Sequence, residues 1–370
     1  MSSADRHIED MIRDDLRRLT AYQPIVPPDV LSEEVGVPLE GIIKLDGNEN
    51  PYGCSPRVRE ALAAYPYFNI YPDPEQREVR RAFAQYVGLD TAHILAGAGS
   101  DELIDLVLRL FLNPGDRVVN CVPTFGMYSF CTEVCGGQVV EAPRTEEYCV
   151  DIDAVKQAID DGAKVVFIAS PNNPTGNITP EHDIVELLRT GAVVVVDEAY
   201  YEFSGATVAH LVPEHDNLIV LRTLSKWAGL AGLRIGYGVF PTAVVDYLIR
   251  IKQPYNINMA AQVAIRESFA DLDRLKATVK AIVAERERLL TELAKVDYLQ
   301  PRPSQANFIY CAVLNGDARA IHRHLQAKGI FIRYFDTPLL RNSLRISVGK
   351  PEHTDAIIAA LNEIGGQSSG

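Results

Sequence analysis

The sequence predicts an α/β fold: a mostly parallel central sheet with helices on both faces, followed by a smaller α/β unit. Three observations lead there. Between about Lys44 and Phe240, short β-branched runs alternate with amphipathic stretches of helical period, the pattern of strand, helix and strand crossovers. Runs such as Val193 to Val196 are apolar at every position, as strands buried on both faces require. Beyond about residue 250 the pattern changes to long charged helical segments and short strands.

Taken in order, residues 1–43 carry Pro24, Pro27, Pro28 and Pro38 and read as an arm that packs on the smaller unit or on a partner subunit. Residues 44–250 form the large unit. Its clearest strands are expected at Arg117 to Val122, Lys164 to Ala169, Ala192 to Val196, Leu218 to Leu221 and Ile235 to Phe240. A helix is expected over Asp101 to Phe111, starting at Ser100, with Leu103, Val107 and Leu110 on one stripe beside Ile104, Leu108 and Phe111. Residues 251–364 form the smaller unit, with a helix over Leu272 to Lys295 and strands at Asn307 to Val313 and Leu344 to Val348. The tail GGQSSG, 365–370, reads as flexible.

Composition narrows the function. Of 370 residues, 36 are Lys or Arg and 49 are Asp or Glu, a net charge of −13. That charge repels a nucleic-acid backbone, so any anion site must be local. The first residues, MSSADRHIEDMIRDDLRRL, are charged every few positions and contain no apolar core of a signal peptide. No stretch approaches the roughly 18 apolar residues of a membrane span. Cys54, Cys121, Cys131, Cys135, Cys149 and Cys311 form no CxxC pair, which suits reduced thiols in a reducing compartment, cytoplasmic or plastid-like, the cytoplasm being the location expected. Cys131 and Cys135 share a helix face, but no His stands near to complete a metal site, and no metal is expected.

Three segments carry the chemistry, each following a strand. The first is Ser170-Pro171-Asn172-Asn173-Pro174-Thr175-Gly176, by itself only a turn-rich loop. The second, Val193 to Val196 leading into Asp197-Glu198-Ala199-Tyr200, sets a carboxylate at the carboxyl end of a central strand, where open α/β sheets bind ligands. The third is Ser225-Lys226, with Arg234 eight residues beyond the lysine. Together they match the needs of pyridoxal 5′-phosphate (PLP): a lysine for the Schiff base, Lys226, and a carboxylate that keeps the pyridine nitrogen protonated, Asp197. Asn173 and Tyr200 suit the phenolic oxygen. Gly97-Ala98-Gly99-Ser100, opening a helix, suits the phosphate, with Arg234 as a bidentate clamp. Phe125, just after a strand end, suits stacking on the ring.

These residues resemble the class I/II, fold type I aminotransferases, and within them the histidinol-phosphate branch. The resemblance runs from Leu19 to about Gly349 and rests on LDGNENPYG from Leu45, YPDP from Tyr71, GAGSDELID from Gly97, PTFGMY from Pro123, SPNNPTG from Ser170, VVVDEAYYEF from Val194, RTLSKWAGLAGLRIGYG from Arg222, QPYNIN from Gln253 and RISVG from Arg345. It implies a fold type I PLP-dependent transferase whose large unit binds PLP. Lys226, Asp197 and Tyr200 would be catalytic. Gly99, Ser100, Thr223, Ser225 and Arg234 would hold the cofactor phosphate, with Asp101 and Phe125 also at the cofactor and Tyr71 arriving from the other subunit of a homodimer. Arg345 would bind a substrate α-carboxylate, and Arg333 and Tyr22 a substrate phosphate, with Asn48 beside them. The implied reaction exchanges an amino group between L-histidinol phosphate and 2-oxoglutarate or glutamate, a step of histidine biosynthesis, by a ping-pong route. The alternatives are an aromatic-amino-acid aminotransferase and a PLP-dependent phospho-amino-acid decarboxylase. Two departures stand out. Phe125 lacks the hydroxyl many relatives carry there, and Trp227, the single tryptophan, follows Lys226 directly.

Overall fold

The computed structural model describes residues 7–367. Its strands, in chain order, are β1 (Ile43–Leu45), β2 (Ile94–Gly97), β3 (Arg117–Asn120), β4 (Gln138–Glu141), β5 (Ala163–Ala169), β6 (Val193–Asp197), β7 (Leu218–Thr223), β8 (Gly236–Val239), β9 (Leu299–Pro301), β10 (Phe308–Val313), β11 (Ile330–Phe335) and β12 (Ser343–Ser347). Seven form one sheet in the order β2-β8-β7-β6-β5-β3-β4, and five form a second in the order β1-β11-β12-β10-β9.

In the larger sheet β4, β3, β5, β6 and β7 run parallel, whereas β8 is antiparallel to both β7 and β2. The reversal has a local cause. Between β7 and β8 the chain makes only a short 3-10 turn, Ala231–Leu233, and lacks the helical crossover that a parallel neighbour requires. Along the parallel strands side chains alternate between two apolar cores. Val166, Ile168, Val194, Val196 and Val220 enter one, while Val165, Phe167, Val195, Ile219 and Leu221 enter the other. Apart from exposed Lys164 and half-buried Val193, every position of β5, β6 and β7 is therefore buried, and these strands read as almost continuously apolar. At about 1.5–3 kcal/mol for each fully buried aliphatic side chain, these strands are a stiff platform for the loops at their ends.

Helix Ser100–Phe111 begins at the residue expected from the sequence, and Leu103, Ile104, Val107 and Leu108 on its inner face are buried. Glu102 reaches back to accept the Ala98 amide N–H at 2.5 Å, closing the first turn as a capping-box acid does.

The expected division at residue 250 is crossed twice. β1 pairs in parallel with β11, Ile43 opposite Ile330, so the start of the chain supplies an edge strand to the C-terminal sheet. Helix Met259–Ala270 packs on helices Pro56–Ala64 and Arg77–Val87, and its Ala261, Ala264 and Ile265 belong to the same apolar core as Val58, Val79 and Phe83 of those helices. Helix Leu272–Leu293 starts where expected and ends two residues early. The last helix, Pro351–Gln367, continues into the segment expected to be a flexible tail; its remaining residues, 368–370, lie outside the described residues, as do residues 1–6 of the lead-in. Among the described residues no helix is long and apolar enough to cross a membrane. Trp227 is a packing residue: it is buried and stacks on Tyr86, ring centroids 5.5 Å apart and planes 6° from parallel.

Candidate active site

The carboxyl ends of β2, β5, β6 and β7 lie on one edge of the larger sheet, because β2 and β7 are both antiparallel to β8. Gly97, Ala169, Asp197 and Thr223 end those strands. Arg234 stands just before the start of β8 on the same edge. All three chemical segments of the sequence thus meet where α/β sheets bind ligands.

Asp197 is fully enclosed. Its Oδ2 accepts the Tyr128 hydroxyl at 2.7 Å and its Oδ1 accepts the Ala199 amide at 3.0 Å. Burial pushes its pKa up to about 6, against the opposing effect of those two donors. Tyr128 is held in turn by stacking on Phe167 at 4.9 Å and by the edge of Phe125 at 5.6 Å. The Lys226 ammonium donates to the Gly47 carbonyl at 3.0 Å. Burial, and then the positive field of Arg345, lower its pKa to about 8. The Tyr200 hydroxyl accepts from Asn48 Nδ2 at 2.9 Å, and burial raises its pKa to about 12.

Asn48 joins the two sheets. Its backbone adopts a left-handed φ of 53°, which asparagine tolerates better than most residues. Its Oδ1 accepts from the Ser347 hydroxyl at 2.8 Å, and its carbonyl accepts from Asn307 Nδ2 at 2.9 Å.

A second cluster forms around the start of helix Ser100–Phe111, whose unpaired N–H groups and dipole favour an anion. Gly99 has φ 86°, and a Cβ there would stand 2.5 Å from Arg234 Nη2; one at Gly236 would stand 2.3 Å from the Ser100 nitrogen. Both glycines are required for this close approach. Arg234 pairs with Asp101 at 2.8 Å. Thr223, opposite Gly236 in the sheet, has its hydroxyl oxygen 2.9 Å from that of Ser225. Gly99, Ser100, Asp101, Thr223, Ser225 and Arg234 are therefore brought together, and the cradle fits a phosphate group.

Arg333 and Arg345 stand directly opposite one another in the β11/β12 register. Like charges in such positions oppose sheet pairing, yet neither arginine has an ion-pair partner among the described residues. Arg345 donates from Nη1 to Asn173 Oδ1 and from Nη2 to the Asp46 carbonyl, each at 2.5 Å, and its buried Nε has no partner. Tyr22 meets the edge of Phe125 at 6.2 Å and lies within the electrostatic field of both arginines. Tyr71 does not join the cluster. It is 77% exposed and stacks on Tyr255 at 4.4 Å.

The family model for aminotransferase class I and II matches residues 40–361. The chain belongs to this family. Among similar proteins, the histidinol-phosphate aminotransferase of Dehalococcoides mccartyi is 49% identical over 354 residues, covering 96% of this chain and 98% of that protein. The chloroplastic histidinol-phosphate aminotransferase of Nicotiana tabacum is 46% identical over 353 residues, covering 95% and 86%. The crystal structure of histidinol-phosphate aminotransferase from Sinorhizobium meliloti, in complex with pyridoxal-5′-phosphate, superposes with a TM-score of 0.87 at 28% identity, covering 95% of this chain and 97% of that one.

Sequence reasoning missed several groups that shape this aminotransferase site. Tyr128 lies in the quoted PTFGMY motif, three residues after Phe125, and was given no role; its contact with Asp197 comes from the turn into helix Met127–Val134. Gly47, Asp46 and Ser347 act through backbone or short side-chain contacts, which leave no sequence signature. The buried Glu198–Arg222 pair, 2.8 Å apart, flanks both Asp197 and the Lys226 loop. Its sign in the sequence is a glutamate directly after the mostly apolar β6 and an arginine within the mostly apolar β7.

Proposed function

We propose that this aminotransferase carries PLP on Lys226 and exchanges an amino group between L-histidinol phosphate and 2-oxoglutarate. The observation that carries the substrate reading is the cross-strand pair Arg333 and Arg345, two guanidinium groups unmatched by any carboxylate of the described chain. Histidinol phosphate presents a phosphate dianion and no carboxylate; glutamate presents two carboxylates. Two permanently charged, forked donors can serve both substrates in turn. The relatives' name, histidinol-phosphate aminotransferase, supports the same reading.

When bound, PLP supplies an aldehyde for the amine and a protonated ring that draws electrons from the substrate Cα. Asp197, desolvated and held by Tyr128, keeps the proton on the ring nitrogen, because a buried carboxylate gains most from a cation beside it. Tyr200, neutral to about pH 12, and Asn173 donate to the phenolic oxygen, while Phe125 covers the ring. Gly99, Ser100, Thr223, Ser225 and Arg234 hold the phosphate, and Asp101 orients Arg234. The Lys226 amine, with its pKa lowered to about 8 by burial and by Arg345, would be partly neutral near neutral pH and so able to take the Cα proton and return it. Arg345 receives the carboxylate of glutamate, Arg333 and Tyr22 the phosphate of histidinol phosphate, and Asn48 orders their junction. The two half-reactions follow one another in ping-pong order.

The exposed run Tyr67, Phe68, Ile70 and Tyr71 supports a homodimer in which Tyr71 completes the partner's phosphate site. The proposed division is an arm (1–43), a large unit (44–250) that lends β1 to the smaller sheet, a small unit (251–364) and a tail (365–370). A cytoplasmic location goes with this metabolic role.

The test is the cofactor absorbance after histidinol phosphate or phenylalanine is added in separate cuvettes. Rapid conversion to the amino form of the cofactor by histidinol phosphate is expected. Conversion by phenylalanine alone would remove the substrate assignment, leaving an aromatic-amino-acid aminotransferase.

A further inference from the structure

The amide of Asn256 sits at a junction that the chemistry above does not use. Its Oδ1 accepts from Gln76 Nε2 at 2.7 Å and from the Lys252 ammonium at 3.4 Å. Its Nδ2 donates to the Ala96 carbonyl at 3.1 Å and to Glu102 Oε2 at 2.8 Å. These partners belong to two structures, with Gln76 reaching both, since its amide also donates to the Ala96 carbonyl and accepts from the Ala96 N–H, each at 3.0 Å. Ala96 and Glu102 frame the proposed cofactor-phosphate loop: Ala96 is in β2, which leads into it, and Glu102 caps its helix through the Ala98 amide at 2.5 Å. Gln76 and Lys252 anchor the surface segment that carries Tyr71. Lys252 donates to the Pro74 carbonyl at 2.8 Å, and Gln76, buried and with a left-handed φ of 56°, closes the segment that begins at Tyr71. Tyr255, one residue before Asn256, is the ring on which Tyr71 stacks.

With both its donors and its acceptor occupied, the Asn256 amide therefore works with Gln76 to tie the loop facing a protomer's own cofactor to the aromatic pair offered to its partner, and it alone reaches Glu102 and Lys252 together. We propose that Asn256 is a positioning residue that couples the two cofactor sites of the dimer, setting the phosphate loop of its own subunit and the Tyr71 presented to the other. The proposal rests on the shared-site dimer proposed above. Removing the amide leaves Gln76 and Glu102 with unmet hydrogen-bonding groups, so both attached segments loosen.

Mixed dimers test this. One protomer carries Lys226→Ala, so that the absorbance of lysine-bound PLP reports only the other protomer's site. Asn256→Ala is placed first on the reporting protomer and then on the Lys226→Ala protomer, and PLP dissociation constants are measured by titration. About tenfold weaker binding is expected in both arrangements. Weakening in only one arrangement, or in neither, overturns the coupling. Asn256→Asp, which keeps the size but loses the Nδ2 donors, replaces the alanine variant if that one fails to assemble. A control dimer with Tyr71→Phe on the Lys226→Ala protomer separates the two ideas. If the control weakens PLP binding and Asn256 does not act across the interface, only the coupling falls. If the control has no effect, the shared-site reading falls and takes the coupling with it.

Discussion

Asp197→Asn replaces a fully buried carboxylate with a neutral group of the same shape. In the cofactor-free chain the native state keeps the Asp197 proton up to about pH 6, whereas the unfolded chain releases it near the ordinary value of about 3.9. Between those values the native state binds more protons than the unfolded state, so stability falls as pH rises through the window. About two pH units at roughly 1.36 kcal/mol each amounts to about 3 kcal/mol, fully present below about pH 4 and lost above about pH 6. The asparagine variant does not titrate and escapes this loss. Urea unfolding of both cofactor-free chains at several pH values, at fixed protein concentration because assembly contributes to stability, should show the variant gaining about 3 kcal/mol on wild type between about pH 4 and pH 7. The same variant should lose most turnover with PLP, because its ring nitrogen has no anionic partner. A stability difference that does not change with pH would refute the burial argument for Asp197.

Three further outcomes are expected. The rate at which PLP attaches to the cofactor-free enzyme should rise with pH about a midpoint near 8, since only the neutral amine attacks, and Arg345→Gln should move that midpoint upward by removing a neighbouring positive charge; a midpoint in the ordinary lysine range would contradict the desolvated site. Arg333→Ala should raise KM for histidinol phosphate roughly 10- to 100-fold, the size of one lost hydrogen bond to a charged group, without lowering the melting temperature, because it also removes the repulsion with Arg345; an unchanged KM would take Arg333 out of the substrate site. Gly99→Ala, at φ 86° and with its methyl carbon 2.5 Å from Arg234, should displace that guanidinium and weaken PLP at least about tenfold, or about 1.4 kcal/mol, in an equilibrium titration; wild-type affinity would show that the phosphate is held elsewhere.

Local sequence pattern determined the parts of this protein whose causes are local. The strands β3, β5, β6 and β7 announced themselves because double-faced burial leaves continuous apolar runs, and the helix at Ser100 because its apolar stripe and start are encoded within a dozen residues. Lys226, Asp197, Asn173 and Tyr200 stood out for a chemical reason: their residue types suit the aldehyde, the ring nitrogen and the phenolic oxygen of one proposed cofactor. What only the tertiary structure decided is long-range. The pairing of β1 with β11, the pairing of β2 with β8 and the opposition of Arg333 to Arg345 join residues of separate segments, and no periodicity records register between such segments. The contact of Tyr128 with Asp197 and the four bonds of Asn256 likewise depend on where separate loops meet at the sheet edge. Sequence supplied the chemical groups, and packing decided which of them face one another, because burial and field strength, and hence the pKa values near 6 and 8 at Asp197 and Lys226, exist only once the chain has closed around them.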